Sequence, residues 1–436
     1  MNYVTEPERR TEILCEADVV VLGGGPAGIA AAWGGGAAGP PCRARGALGR
    51  SGRPARKPIS TGAAFAGIVS RKTARKNHMR IAVLGGGHGC YAAAADLTEQ
   101  GHEVRLWRRD AAAMARLAGD GRLVLKDIVG RREVRIALAT ADIDAAVRGA
   151  ELILAPLPAF AQEDVARAIA PHLSAGQVVF LPPGTFGSYV MACAVRNAGC
   201  NAEITFAETG TLPYLARKHG PAEVAITMRA RRLPTGAFPA RRGAHAFEVI
   251  RKAYPVIEPI EDALSGALMN AGPIIHPPLI LMNAGPLEHF ETWDIHNEGT
   301  QPSIRRVTDA LDIERIAVRE ALGYRPYHFP LRDHYASDRW MYGDAHERLT
   351  ESGDWREHID LATHRYMRED VQYGLALLVS VADWAGVPAP VATGLLALGA
   401  AVVGEDFRHG PRTLESLGLA KLSRADMTRL LQDGLD

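Results

Sequence analysis

With 436 residues the chain has room for two domains, and 47% hydrophobic content is that of a folded globular protein. A net charge of +1 excludes a global field drawing it to nucleic acid or an anionic membrane, and no apolar run is long enough to span a bilayer. Five cysteines form no C-x-x-C pair, which fits a reducing cytoplasm, and the histidines show no metal-ligand spacing, so no metal is expected.

Residues 17–32, ADVVVLGGGPAGIAAA, read as a strand and a glycine turn opening a helix, with Gly23, Gly25 and Gly28 in dinucleotide-fingerprint positions. This resembles the opening of an FAD-dependent oxidoreductase for about sixteen residues only. A Gly/Pro/Arg-rich tract without acidic residues follows, and such a tract cannot bury a core. Residues 1–78 are therefore expected to be a disordered remnant or fused fragment, with the working protein beginning at Met79.

Residues 79–110 form the stretch around which the rest is arranged. Arg80 to Leu84 has the profile of a buried parallel strand. Gly85-Gly86-Gly87-His88-Gly89-Cys90 is close to the G-x-G-x-x-G/A fingerprint, with Cys90 as the small third residue, and an Ala-rich helix to Gln100 and a strand from His102 to Trp107 complete a βαβ unit. The glycines allow a tight turn and close approach of a pyrophosphate, held by free N–H groups and the dipole of the helix start. NAD binders usually place an acidic residue at the end of the second strand for the ribose diol. Here Arg108 and Arg109 stand there instead, and two guanidinium groups suit a 2′-phosphate. NADP is the expected cofactor, with NAD left open by Asp110, which follows and could reach back; two exposed arginines at a strand end are the plainer alternative.

Onward, Arg122–Lys126 and Val134–Leu138 read as an inserted hairpin, Asp142–Val147 as a helix, and Glu151–Leu157 as a buried strand. The turn Pro156 to Phe160 follows, with Pro158 as a further cofactor contact, and then a helix around Asp164–His172. Gln177–Leu181 is the next strand, Thr185–Asn197 a helix and Ala202–Phe206 another strand. This alternation means an α/β fold, a Rossmann-type doubly wound parallel sheet with ligands at the carboxyl ends of its strands. The turns at Gly85–Gly89, Pro156–Phe160 and Pro182–Thr185 should then share one crevice. After about Ile260 the strand signal disappears. Leu264–Asn270, Pro277–Ala284, Gln301–Leu322, Trp355–Met367, Val371–Ala385 and Ala389–Val402 read as helices, so residues 79–260 are expected to form the dinucleotide-binding domain and 261–436 a helical substrate and catalytic domain.

Three stretches outside the fingerprint carry chemistry. Glu208, in AETGTLPY after a sheet strand, would face the crevice and bind an amine or guanidinium, or be a plain loop cap. His276, in NAGPIIHPPL, precedes a proline that disfavours helix at His276 itself, so it is expected at a helix start, where the dipole favours an uncharged imidazole; the alternative is a core histidine bonded to a carbonyl. Asp370, in REDVQYGL, either complements a helix dipole or pairs with His276 and steadies its imidazolium.

Together, GGGHG at the first turn, AETGTLPY, NAGPIIHPPLILMNAG and REDVQYGL resemble the octopine/nopaline (opine) dehydrogenase family from Met79 onward. The resemblance implies His276 as catalytic histidine, Asp370 as its carboxylate partner and Glu208 as amino-substrate contact. The implied activity is NAD(P)H-dependent reductive condensation of an amino acid with a 2-oxo acid. Gly210 and His88 depart from the residues usual in the family. The competing readings are a glycerol-3-phosphate dehydrogenase or ketopantoate reductase type of enzyme, for which Lys218 and Lys252 are the candidate lysines, and a non-catalytic dinucleotide-binding regulator. A cytoplasmic enzyme with small-molecule partners is expected, and a homodimer is an assembly the sequence allows.

Overall fold

The structure is a computed structural model that describes residues 3–6, 9–12, 78–325 and 358–435. The chain divides into two compact units, residues 1–67 and 68–436. In the first, β1 (Tyr3–Glu6) and β2 (Arg9–Glu12) pair antiparallel; the FAD-like stretch 17–32 lies outside the described residues.

In the second unit, β3 (Arg80–Leu84), α1 (His88–Glu99) and β4 (Glu103–Trp107) form the expected βαβ unit, with β3 and β4 parallel. Alanines along α1 let it lie close on the sheet, and residues 89–97 are all buried. After α2 (Ala111–Ala118) come β5 (Arg122–Asp127) and β6 (Gly130–Arg135), the expected hairpin. The expected single strand Val134–Leu138 is in fact two. β6 ends at Arg135 and a separate β7 (Leu138–Thr140) pairs with β4 in another sheet, because the apolar period runs on across the break between them.

The order continues α3 (Ile143–Val147), β8 (Leu152–Leu154), α4 (Gln162–Ile169), β9 (Val178–Leu181), α5 (Gly187–Asn197) and β10 (Thr205–Thr209). Then follow β11 (Tyr214–Lys218), β12 (Glu223–Arg229), β13 (Leu233–Phe238), α6 (Gly243–Ala253) and β14 (Ile257–Pro259). The main sheet has the order β14-β13-β10-β9-β8-β3-β4-β7, parallel throughout except at β10–β13. The second sheet, β11-β12-β5-β6, packs its β11 on α1.

The remainder is helical: α7 (Ala263–Ala267), α8 (Gly272–Met282), α9 (Ala284–His289), α10 (Pro302–Ala321), a π-helix (Tyr366–Leu375), α11 (Ala376–Ala385), α12 (Pro390–Val403) and α13 (Arg424–Asp433). Two expectations are corrected. Of the expected helix Trp355–Met367, the first three residues lie outside the described ones, and the wide i→i+5 turns begin at Tyr366 and run into α11. His276 is not at a helix start: α8 begins at Gly272, with Pro273 in its first turn, so His276 sits in the second turn. Pro277 and Pro278 inside the helix forfeit two main-chain N–H donors. Packing of α8 on the π-helix, where Gly374 admits Pro273, overrides that local preference.

Candidate active site

A crevice of about 550 Å³ opens at the carboxyl ends of β3, β8 and β9. The three sheet turns share it as expected, through Gly87 to Gly89, Pro156 to Pro158 with Phe160, and Pro182 with Pro183; the facing wall carries His276, Tyr366 and Asp370. Thr185 and Phe186, which lead into α5, have φ of 54° and 61°. Side chains in that left-handed region cost stability unless neighbours fix them. Asn270 Nδ2 donates to Thr185 Oγ1 at 3.0 Å and Arg412 donates to its carbonyl at 2.8 Å, so the loop is pinned from the helical side.

His276 Nδ1 lies 2.7 Å from Asp370 Oδ2, and Asp370 is only 4% exposed. A buried carboxylate on Nδ1 fixes that nitrogen as the donor of the neutral ring and orients the imidazole. Nε2 is left without a protein partner among the described residues, on a side chain that lines the crevice. The pair depends on a close approach of backbone: a Cβ on Gly272 would stand 2.2 Å from Asp370 Oδ1. Tyr366 stacks on the His276 ring at 3.7 Å between centroids and 11° between planes, and His296 Nε2 lies 2.7 Å from the Tyr366 hydroxyl. The imidazole is thus held at its edge by a carboxylate and on its face by an aromatic ring.

The dinucleotide fingerprint fits an NAD(P) pyrophosphate. Gly85 has φ +122°, a turn that side chains rarely adopt, and a Cβ on Gly87 would meet nothing within 4 Å, so that side of the turn is open. The first turn of α1 has neither a side-chain cap nor an acidic residue, leaving its N–H groups for an anion. His88 and Gly89 line the crevice beside Gly87, whereas Cys90 is buried, its thiol pushed up to about 11 by burial, and serves as packing. Pro158 lines the crevice too. Arg108 lies across Gly86 and pairs with Asp110 at 3.2 Å, while Arg109 is exposed. Asp110 caps α2 by accepting from Ala113 N at 3.0 Å.

Glu208 is a correction. The antiparallel pairing of β10 with β13 carries the strand through Thr209, so Glu208 lies inside it, opposite Gly236, and not on a loop after it. It is fully buried, does not line the crevice, and lies behind the Gly184 turn; Ser188 N is 3.4 Å from Oε2, and Oε1 has no hydrogen-bond partner. Burial pushes its carboxyl up to about 8, against a smaller opposing pull from Ser188 and from the Arg412 charge.

Beside Asp370, a second carboxylate lines the crevice, Glu369. Both its oxygens accept from Ala159 N, at 2.9 Å each, and burial, with the neighbouring Asp370 charge, pushes it up to about 7. Arg412 donates to the Ala159 carbonyl at 3.0 Å and to Gln162 Oε1 at 2.9 Å. Glu369 and Arg412 therefore clamp Ala159 of the sheet domain from the helical side, one at its N–H and the other at its carbonyl. Arg412, Tyr366, His296 and Arg365, which also lines the crevice, went unnoticed in the sequence; the only available signal was the nearness of Arg365 and Tyr366 to Asp370. Lys252 lies 4.0 Å from Glu151 and Lys218 reaches the Gly86 carbonyl, and neither of these candidates for the competing reading is among the residues lining the crevice.

Residues 259–403 match the family described as NAD/NADP octopine/nopaline dehydrogenase, alpha-helical domain, and residues 80–182 match the NAD-dependent glycerol-3-phosphate dehydrogenase N-terminus. An opine dehydrogenase from Arthrobacter sp. (strain 1C) is 29% identical over 79% of this chain and 96% of its own length. A structure of octopine dehydrogenase with NADH and agmatine superposes with a TM-score of 0.59 at 19% identity, covering 79% of this chain and 99% of that one. An NADP+-bound yersinopine dehydrogenase gives 0.54 at 16%, covering 82% and 99%.

Proposed function

We infer that this chain, whose helical domain belongs to the octopine/nopaline dehydrogenase family, is an NAD(P)H-dependent oxidoreductase acting on the CH–NH group of donors. In the reductive direction the amine of an amino acid condenses with the carbonyl of a 2-oxo acid, releasing water and leaving an imine. Bound NAD(P)H supplies the hydride for the imine carbon, and a proton completes the secondary amine. The crevice is built to hold both substrates against the glycine turn. Arg365, on its wall, suits the carboxylate that each of them carries.

His276 exchanges the proton at Nε2, as acid in reduction and base in oxidation, and Asp370 holds Nδ1 and stabilises the imidazolium. The observation that carries this reading is the 2.7 Å contact of His276 with Asp370 on the wall that faces Gly87. The same observation disfavours the lysine-dependent reductase reading. Residues 79–260 then act as the nucleotide domain and 261–436 as the catalytic one, with 1–78 outside the chemistry. Arg108 at the end of β4 favours NADP over NAD, and the cysteine usage favours a cytoplasmic enzyme.

The test is NAD(P)H oxidation against a panel of amino acids paired with 2-oxo acids. Turnover should require both partners. His276→Ala should lower it by roughly 10²–10⁴-fold while cofactor affinity stays unchanged. Turnover with a 2-oxo acid alone, or a fully active His276→Ala variant, would refute the reading.

A further inference from the structure

β11 belongs to the second sheet, outside the βαβ unit, yet its last residue reaches the glycine turn. Lys218 N donates to His88 Nδ1 at 2.9 Å, and its ammonium donates to the Gly86 carbonyl at 3.3 Å. The ammonium also stands 3.6 Å from the centroid of the Tyr91 ring. Arg108 arrives at the same glycine from β4: a Cβ on Gly86 would lie 2.6 Å from its Cδ and 2.7 Å from its Nε. Two cations from two different sheets therefore converge on one peptide of the fingerprint.

Together they carry more charge than one carboxylate balances. Arg108 is paired with Asp110 Oδ2 at 3.2 Å, while the other oxygen of that carboxylate caps α2. Lys218 has no carboxylate within ion-pair range among the described residues, and both burial and the Arg108 charge hold its pKa down. Like charges brought together beside a buried aromatic floor are unfavourable unless an anion enters between them. The anion available here is the cofactor's. In this fold the pyrophosphate sits at the start of the first helix and the adenosine ribose against the end of the second strand, which is where Arg108 stands.

We propose that Lys218 and Arg108 together form the subsite for the 2′-phosphate of NADP(H), with Tyr91 as the floor beneath the ammonium, and that the exposed Arg109 takes no part. Tyr91 carries the ammonium by cation–π attraction while the site waits for its ligand. The Gly86 carbonyl and the main-chain bond to His88 hold Lys218 against the turn, so little side-chain freedom is lost when the phosphate arrives. The proposal rests on the NAD(P)-dependent reading above.

The experiment measures dissociation constants of the full chain for NADPH, NADH, 2′,5′-ADP and 5′-ADP by calorimetry. It compares the parent with Lys218→Met, which keeps the aliphatic stem over Tyr91, with Lys218→Arg and with Arg109→Ala. Lys218→Met should weaken NADPH and 2′,5′-ADP about 10–100-fold, the worth of a charge-assisted hydrogen bond. NADH and 5′-ADP should stay within about twofold, which also shows that the variant is folded, and Lys218→Arg should keep most of the preference. Equal weakening of NADPH and NADH would assign Lys218 to the pyrophosphate and overturn the proposal. A loss in Arg109→Ala as large as in Lys218→Met would overturn the exclusion of Arg109. A parent that prefers NADPH, with the preference untouched by Lys218→Met, overturns the Lys218 assignment alone. A parent with no preference overturns the NADP reading along with it.

Discussion

Replacing Glu208 by glutamine should make the protein less sensitive to alkaline pH. Glu208 is fully buried on β10, and its carboxyl is raised from 4.5 to about 8. Each tenfold change in proton affinity is worth ~1.4 kcal/mol, so ionising the group in place costs at most roughly 5 kcal/mol. The folded protein keeps a proton that the unfolded chain has released above about pH 4.5. Stability contributed by the neutral carboxyl is therefore complete below that pH, falls as pH rises toward about 8, and levels off above it. Glutamine keeps the shape and never ionises. The difference in unfolding free energy between Glu208→Gln and the parent, from urea titrations at intervals from about pH 5.5 to 9, should move toward the variant. The slope should be ~1.4 kcal/mol per pH unit until about pH 8 and flat beyond. Other titrating groups contribute equally to both proteins and cancel. A difference that stays constant across the range would refute the reasoning, and would mean that Arg412 compensates an ionised Glu208 in the fold.

Asp370→Asn should lower turnover about 10²-fold with cofactor affinity unchanged, because the amide keeps the contact but not the charge opposite the imidazolium; steady-state kinetics and NADPH titration check it. Gly272→Ala should reproduce much of that loss, since its new methyl must displace the Asp370 carboxylate, at a stability cost of about 1–3 kcal/mol read by thermal unfolding. Full activity in that variant would show that the 2.7 Å contact is dispensable.

The βαβ unit from Arg80 to Trp107 was legible because every element of it is written locally: an apolar run, a turn that demands glycine, an Ala-rich helix. His276 and Asp370 could be singled out as residues, but their meeting across 94 positions came only from the family resemblance. Where tertiary packing outvotes local preference, the reading failed. Pro277 argued for a helix start at His276, and contact with the π-helix moved that start to Gly272. Glu208 was expected just past a strand's carboxyl end, facing the crevice, because nothing local announces that β13 will pair antiparallel with β10 and draw it into the sheet. Nothing in the sequence announced that Tyr366 and His296 would meet, since their contact is set by the width of a helix turn and by a loop between distant helices.

A helix that closes its hydrogen bonds at i→i+5 holds one more residue in each hydrogen-bonded ring than an α-helix does. Along Tyr366–Leu375 that extra width lets Glu369 reach Ala159 while Asp370 reaches His276, so two adjacent acids serve two different domains. Deleting one residue between Tyr366 and Asp370 would rotate the acids out of register with both partners at once. An alignment of relatives that misplaces a gap by one position there would swap the clamp for the proton partner.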